Sequence, residues 1–176
     1  AADPYLELKL FDETGTSGSP VWNAHTAPMM DAGSHALWNL LDFEFPVNKL
    51  LLEKGTLQII AKDKNIHTAD AFIGCGTCTL RRAVSSMKVD EKTGELLHDG
   101  EVVQLSLDLD CDASGKPSKK SHGRLVIYID VGKVQPDEST LHHKADFDYG
   151  LMKISKVRTF DLKNTERFAS FTDSRQ

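Results

Sequence analysis

Positive charge is missing from a long part of this chain. No Lys or Arg stands between Lys9 and Lys49, and over the whole chain 21 basic residues face 26 acidic ones, for a net charge of −5. That balance excludes a general nucleic-acid footprint. No apolar run approaches the ~20 residues needed to span a bilayer. The N-terminus has no basic patch followed by an apolar stretch, so no signal peptide is read, and a cytoplasmic setting is expected, with peripheral membrane attachment as its variant. The three cysteines form an odd, sparse set, which fits a reducing compartment. Internal repeats and low-complexity tracts are absent. So are Gly-x-Ser-x-Gly and a phosphate-cradling Gly-rich loop. Spacing offers neither a nucleophile with its base nor a carboxylate pair in a cleft, so no enzyme is expected.

What is present is period-two hydrophobicity. Leu6, Leu8 and Leu10 alternate with Glu7 and Lys9. Leu57, Ile59 and Ala61 alternate, as do Val103, Leu105, Leu107 and Leu109, and then Leu125, Ile127, Ile129 and Val131. Strands are also expected over 36–47, 72–80 and 150–162, with a weaker one over 21–29. Eight short strands separated by turn residues are the pattern of an antiparallel β-sandwich. A chain of 176 residues suits one domain with one core. A short helical turn is expected over 81–88, and 132–149 reads as a linker or bottom loop.

Antiparallel strands run alternately up and down, so the loops sort by end. If 150–162 runs up to 163–176, the loops at 1–3, 30–36, 63–71 and 110–122 share that end. The loops at 11–20, 48–55, 81–101 and 132–149 fall at the other.

The two termini fit each other. The chain ends in Phe171-Thr-Asp-Ser-Arg-Gln176 and begins with Ala1-Ala-Asp3-Pro4-Tyr5. Read as a circle, it shows Asp3-Pro4-Tyr5, then Ser34-His-Ala-Leu-Trp-Asn39 leading into Asp42-Phe-Glu-Phe45, then Ala71-Phe-Ile-Gly74 after an acidic loop. In that order the motifs resemble a C2 domain opened in its first ligand loop. Residues 1–131 would hold strands two to eight, and 150–176 strand one and the first loop. A segment of a tandem C2 array would read the same way, and its halves could exchange into a swapped dimer in place of a monomer.

The resemblance implies an all-β, eight-stranded, C2-like sandwich and a non-catalytic docking module. Its partners would be anionic phospholipid or proteins, and its candidate cofactor calcium. The acidic cup would draw on Asp173 and Asp3 from the first loop and on Asp63, Asn65 and Asp70 from the third. Calcium wants six to eight oxygen ligands, and fewer charges mean lower affinity. Here Asn65 replaces an Asp, and Ala71 stands where the family has one, with Asp70 shifted by a residue. Ala36 replaces the usual Pro. The basic strand that many C2 domains use for phosphoinositides is missing. The expectation is therefore docking with weak or absent calcium dependence, the alternative being a calcium-independent protein scaffold.

Lys116, Lys119 and Lys120 lie in a loop expected at the acidic end and could touch anionic head groups at ~1 kcal/mol each. Phe168 and Phe171 are candidate membrane wedges. Cys75-Gly-Thr-Cys78 lies in a strand pattern, without the helix N-terminus that activates a redox pair or the second pair that completes a zinc site. It reads as structural, and His142 and His143 read as exposed.

Overall fold

A computed structural model describes residues 1–84, 101–133 and 150–163. The described residues form two antiparallel sheets of four strands. One has the order β2-β1-β4-β5, built from Trp22–His25, Pro4–Phe11, Thr56–Asp63 and Ala71–Thr79. The other has the order β3-β8-β7-β6, built from Leu37–Val47, Gly150–Phe160, Arg124–Lys133 and Glu101–Asp108.

The alternation read from the sequence sets the layers. Leu6, Leu8 and Leu10 of β1 are buried, and so are Leu57, Ile59 and Ala61 of β4. Leu105 and Leu107 of β6 meet Leu125, Ile127 and Ile129 of β7 and Met152, Ile154 and Val157 of β8 in the same core. Each such side chain, fully buried, stabilises the fold by about 1.5–3 kcal/mol. Trp22 stands over Phe45 with ring centroids 4.8 Å apart and meets Phe43 edge-on at 6.2 Å. That contact closes the sandwich where edge strand β2 lies over edge strand β3.

Register decides which end each loop occupies. Pro4 pairs with Asp63, and Asp63 with Ala71, so those three positions share one end of the first sheet. In the second sheet Leu37 pairs with Arg158, and Arg124 with Phe160. Backbone bonds from Gly33 to Ala2 (3.0 Å) and from Leu162 to Ser34 (3.2 Å) join the two sheets at that same end. This is the loop end of the sandwich. Thr159 is fully buried there, and its Oγ1 accepts the Ala36 N–H at 2.7 Å. Trp38, also buried, donates its indole N–H to the Ala27 carbonyl at 2.8 Å.

Three features differ from the sequence expectation. β2 is only four residues long: beyond His25 the ladder gives way to separate bonds to β1, with Thr26 N–H on the Leu6 carbonyl and Met29 N–H on the Pro4 carbonyl, both at 2.9 Å, while Thr26 Oγ1 accepts the Leu6 N–H at 2.9 Å. Residues expected as plain loop contain a helix, α1 (Lys49–Lys54), capped by Asn48, whose side chain accepts the Leu51 N–H at 2.8 Å. Tertiary packing supports so short a helix: Leu51 joins the core beside Leu80 of α2 (Leu80–Val84). That second helix is the turn expected over 81–88, beginning one residue earlier; 85–88 lie outside the described residues.

The third difference concerns the loop at 110–122. Its stem stays at the loop end, where Leu109 and His122 are bonded at 2.9 Å. Its middle does not. The Cys111 N–H donates to the Cys75 carbonyl at 2.8 Å, and Cys111 also bridges Pro117, so a small hairpin lies along the free edge of β5. An unpaired strand edge offers exactly such backbone partners. Asp112 closes the hairpin: one carboxylate oxygen accepts from Ser114 N (2.8 Å), Ser114 Oγ (2.6 Å) and Lys116 N (3.0 Å). These bonds, the Ser114 hydroxyl foremost, hold the Asp112 carboxyl below its ordinary range.

Candidate functional site

The acidic residues named from the sequence converge at the loop end as far as they are described. The Asp3 N–H donates to an Asp63 carboxylate oxygen at 2.8 Å, joining the start of β1 to the end of β4. Asp63 is almost wholly buried. Asp3 Oδ1 accepts the Asp31 N–H at 2.6 Å, and the Asp3 carbonyl accepts the Lys64 N–H at 3.0 Å. Thus Asp3 sits between the loops at 26–36 and 63–70.

Asp70 is more heavily engaged. Its Oδ1 accepts the Asn65 N–H at 3.0 Å, while its Oδ2 accepts the Tyr5 hydroxyl at 2.8 Å and the Lys64 ammonium at 3.3 Å. The Asn65 amide donates to the Ala69 carbonyl at 3.0 Å, closing the loop on itself. The Asn65 backbone bond, followed by the Tyr5 hydroxyl, holds the Asp70 carboxyl below its usual range. Burial, and then the bond to Asp70, pushes the Tyr5 phenol up to about 12.

This arrangement bears on calcium. The ion needs a shell of six to eight oxygens. Both Asp70 oxygens already accept protein donors, and the Lys64 ammonium stands where a cation would approach. Among the described residues no group of three or more His, Cys, Asp or Glu side chains could hold a metal ion. The residues described do not by themselves fit a calcium shell. Asp173, Phe168 and Phe171 lie outside the described residues, as do His142 and His143.

Lys119 and Lys120 are exposed, and Lys116 is exposed on the hairpin against β5. Near the loop end stand two exposed apolar side chains that the sequence reading did not single out. Ile66 is 79% exposed at the tip of the loop after β4, and Met30 is exposed in the loop before β3.

A second feature was also missed. On the outer face of the β3-β8-β7-β6 sheet, the pairs Arg124↔Phe160, Val126↔Arg158 and Tyr128↔Lys156 bring three cations and two aromatic rings together. The Arg124 and Arg158 guanidinium groups both stand over the Phe160 ring, at 5.3 and 5.9 Å from its centroid. The Lys156 ammonium stands 4.8 Å over Tyr128. The ion pairs found among the described residues involve none of these three cations. The signal was in Lys156, Arg158 and Phe160 at every second position, but their partners on β7 depend on register.

At the opposite end a groove of about 330 Å³ runs between β1, β2 and β3, lined by Leu10, Val21, Trp22, Phe45, Pro46 and Leu50. Val21 and Leu50 are both more than half exposed on its rim. No helix among the described residues is long and apolar enough to cross a membrane. No model of a known protein family matches the chain, and no curated protein matches it.

Proposed function

We propose that this chain is a non-catalytic docking module of the C2 type. It binds anionic phospholipid surfaces, and its dependence on calcium is weak or absent. The observation that carries this reading is the outer face of β7 and β8. There Arg124, Lys156 and Arg158 rest on aromatic rings, and among the described residues no ion pair takes up their charge, which is left for an external anion. Basic residues near an anionic bilayer contribute ~1 kcal/mol each. A cation held on a ring keeps its position without surrendering its charge. Ile66 and Met30, with Lys119 and Lys120, add apolar and basic contacts near the loop end. Engagement of both Asp70 oxygens supports the calcium-independent form.

The test is sedimentation with phosphatidylcholine vesicles, with and without phosphatidylserine, in calcium or in chelator. The expected result is binding that requires phosphatidylserine, persists in chelator, weakens with salt and is lost in the Arg124→Gln, Arg158→Gln double variant. Absence of binding, or calcium-dependent binding that the double variant retains, overturns the proposal.

The second reading, a scaffold for protein partners, draws on the groove beside Trp22. Its exposed Val21 and Leu50 offer an apolar contact away from the cationic face. Failure to bind vesicles together with capture of a partner lost on Trp22→Ala would favour it.

A further inference from the structure

Cys75 and Cys111 are 36 positions apart, yet they are partners in an antiparallel bridge. Cys75 lies in β5, and Cys111 lies in the hairpin laid along that strand's edge. Residues directly opposed in such a pair have Cα atoms about 4.5–5.5 Å apart and side chains on the same face. That spacing lies within the ~4.4–6.8 Å that a disulfide spans. The two side chains also share one small apolar cluster with Ile60, beside Phe72, outside the main core. Cys78 belongs to the main core instead. Three residues along a strand reverses the face, so Cys75 and Cys78 point to opposite sides of β5. The near neighbour in sequence is the wrong partner, and the distant one is the right one.

We propose that Cys75 and Cys111 are a redox pair that closes a reversible disulfide across the β5 edge under peroxide. Cys111 is the sulfur that meets the oxidant: it lies in the hairpin outside the sheet and is 5% exposed, where Cys75 inside the strand is wholly buried. The Cys111 thiol gives up its proton and the thiolate attacks one peroxide oxygen; the O–O bond breaks, a sulfenic acid forms, and the departing hydroxide takes up that proton and leaves as water. The Cys75 sulfur then attacks the Cys111 sulfur. The S–O bond breaks, the second water leaves with the Cys75 proton, and the S–S bond forms. In sum two thiols are oxidised, one hydrogen peroxide is reduced and two waters are released. A thiol such as glutathione reverses the reaction by exchange. Both thiols are raised by burial, Cys75 to about 11, so the closing reaction is slow and the product is shielded.

The bond would pin the hairpin bearing Asp112 and Lys116 to the sheet and raise the melting temperature, since a cross-link restricts the unfolded chain. None of this depends on the docking proposal.

The test treats the whole chain with hydrogen peroxide, then alkylates it in denaturant and maps it by mass spectrometry without reduction. The expected product is a monomer lighter by two hydrogen atoms. A single alkylatable thiol, Cys78, remains, and one linked peptide pair joins Cys75 to Cys111. Glutathione restores all three thiols. Cys78→Ser leaves the cross-link intact, and Cys111→Ser abolishes it. Any other product overturns the proposal: a Cys75–Cys78 bond, a disulfide between chains, over-oxidised Cys111, or three thiols unchanged after prolonged peroxide. Because mapping of the unaltered chain decides the matter, a variant that fails to fold does not.

Discussion

Tyr5 donates its hydroxyl to an oxygen of Asp70 across 2.8 Å, and this bond ties β1 to the loop between β4 and β5. The two residues are 65 positions apart in the chain. Their pairing sets the state of the loop end, because it perturbs both groups in ways that can be measured.

The first prediction concerns alkaline pH. The Tyr5 phenol is raised to about 12 in the folded protein, mainly by burial. An unfolded tyrosine titrates near ~10. Its contribution to stability is therefore whole below pH ~10 and drains away as the pH rises from there through about 12. Difference absorbance should show one tyrosine ionising near pH 12, and Tyr5→Phe should remove that step. Asp70 acts with the opposite sign. Its pKa is depressed, so its contribution is present above the ordinary carboxylate value and is lost as the pH falls through the folded value. Asp70→Asn should make acid unfolding less steep.

The second prediction concerns calcium. A site present only in the folded chain would stabilise it by roughly 2.7 kcal/mol with calcium at a hundred times its dissociation constant. With Asp70 engaged on both oxygens, the melting temperature is expected to stay within error from chelator to millimolar calcium. A rise of several degrees that disappears in Asp63→Asn would contradict this.

Thr159 supplies the third. It is wholly buried, and its hydroxyl accepts the Ala36 N–H at 2.7 Å. Thr159→Val keeps the shape and leaves that donor unpaired, at a cost of about 1–3 kcal/mol. For a chain of this length each kcal/mol lowers the melting temperature by ~2–4 °C, which calorimetry resolves. Thr159→Ser should recover most of the loss.

Gly123 is the fourth. Its φ is +128°, a conformation that L side chains rarely adopt, and an added Cβ would come 3.0 Å from Leu162 Cα and 3.1 Å from the Asp161 carbonyl. Both neighbours are backbone atoms and cannot swing aside. Gly123→Ala should cost on the order of 1–3 kcal/mol by denaturant unfolding, while Gly15→Ala, at φ +106° with nothing near its Cβ, should cost less.

Much of the fold could be read from local pattern. Leu6-x-Leu8-x-Leu10 can bury three side chains on one face only as a strand, and the same reasoning placed β4, β6 and β7. Helix α1 escaped because its Leu50-Leu51-Leu52 run carries no helical period. Its cues were Asn48 before it and Gly55 after it, which only mark ends. At the loop end, Asp3, Asp63 and Asp70 were visible as residues. Their partners were not, since nothing local shows that Tyr5 and Lys64 will both bind Asp70 Oδ2 while the Asn65 N–H takes Oδ1.

The sequence by itself determined most of the strands, their inward faces and, through the alternation of direction, the end from which the described connections at 1–3, 30–36 and 63–71 leave the sheets. Those follow from period and chain sense, which are properties of neighbours along the chain. Only the tertiary structure decided that the Cys111 hairpin lies against β5, that Arg124 and Arg158 share the Phe160 ring, and that Cys75 partners Cys111 rather than Cys78. Each of these depends on register between distant segments. Register is chosen by packing the whole core at once, because a slip of one residue would turn every buried side chain of a strand to the opposite face.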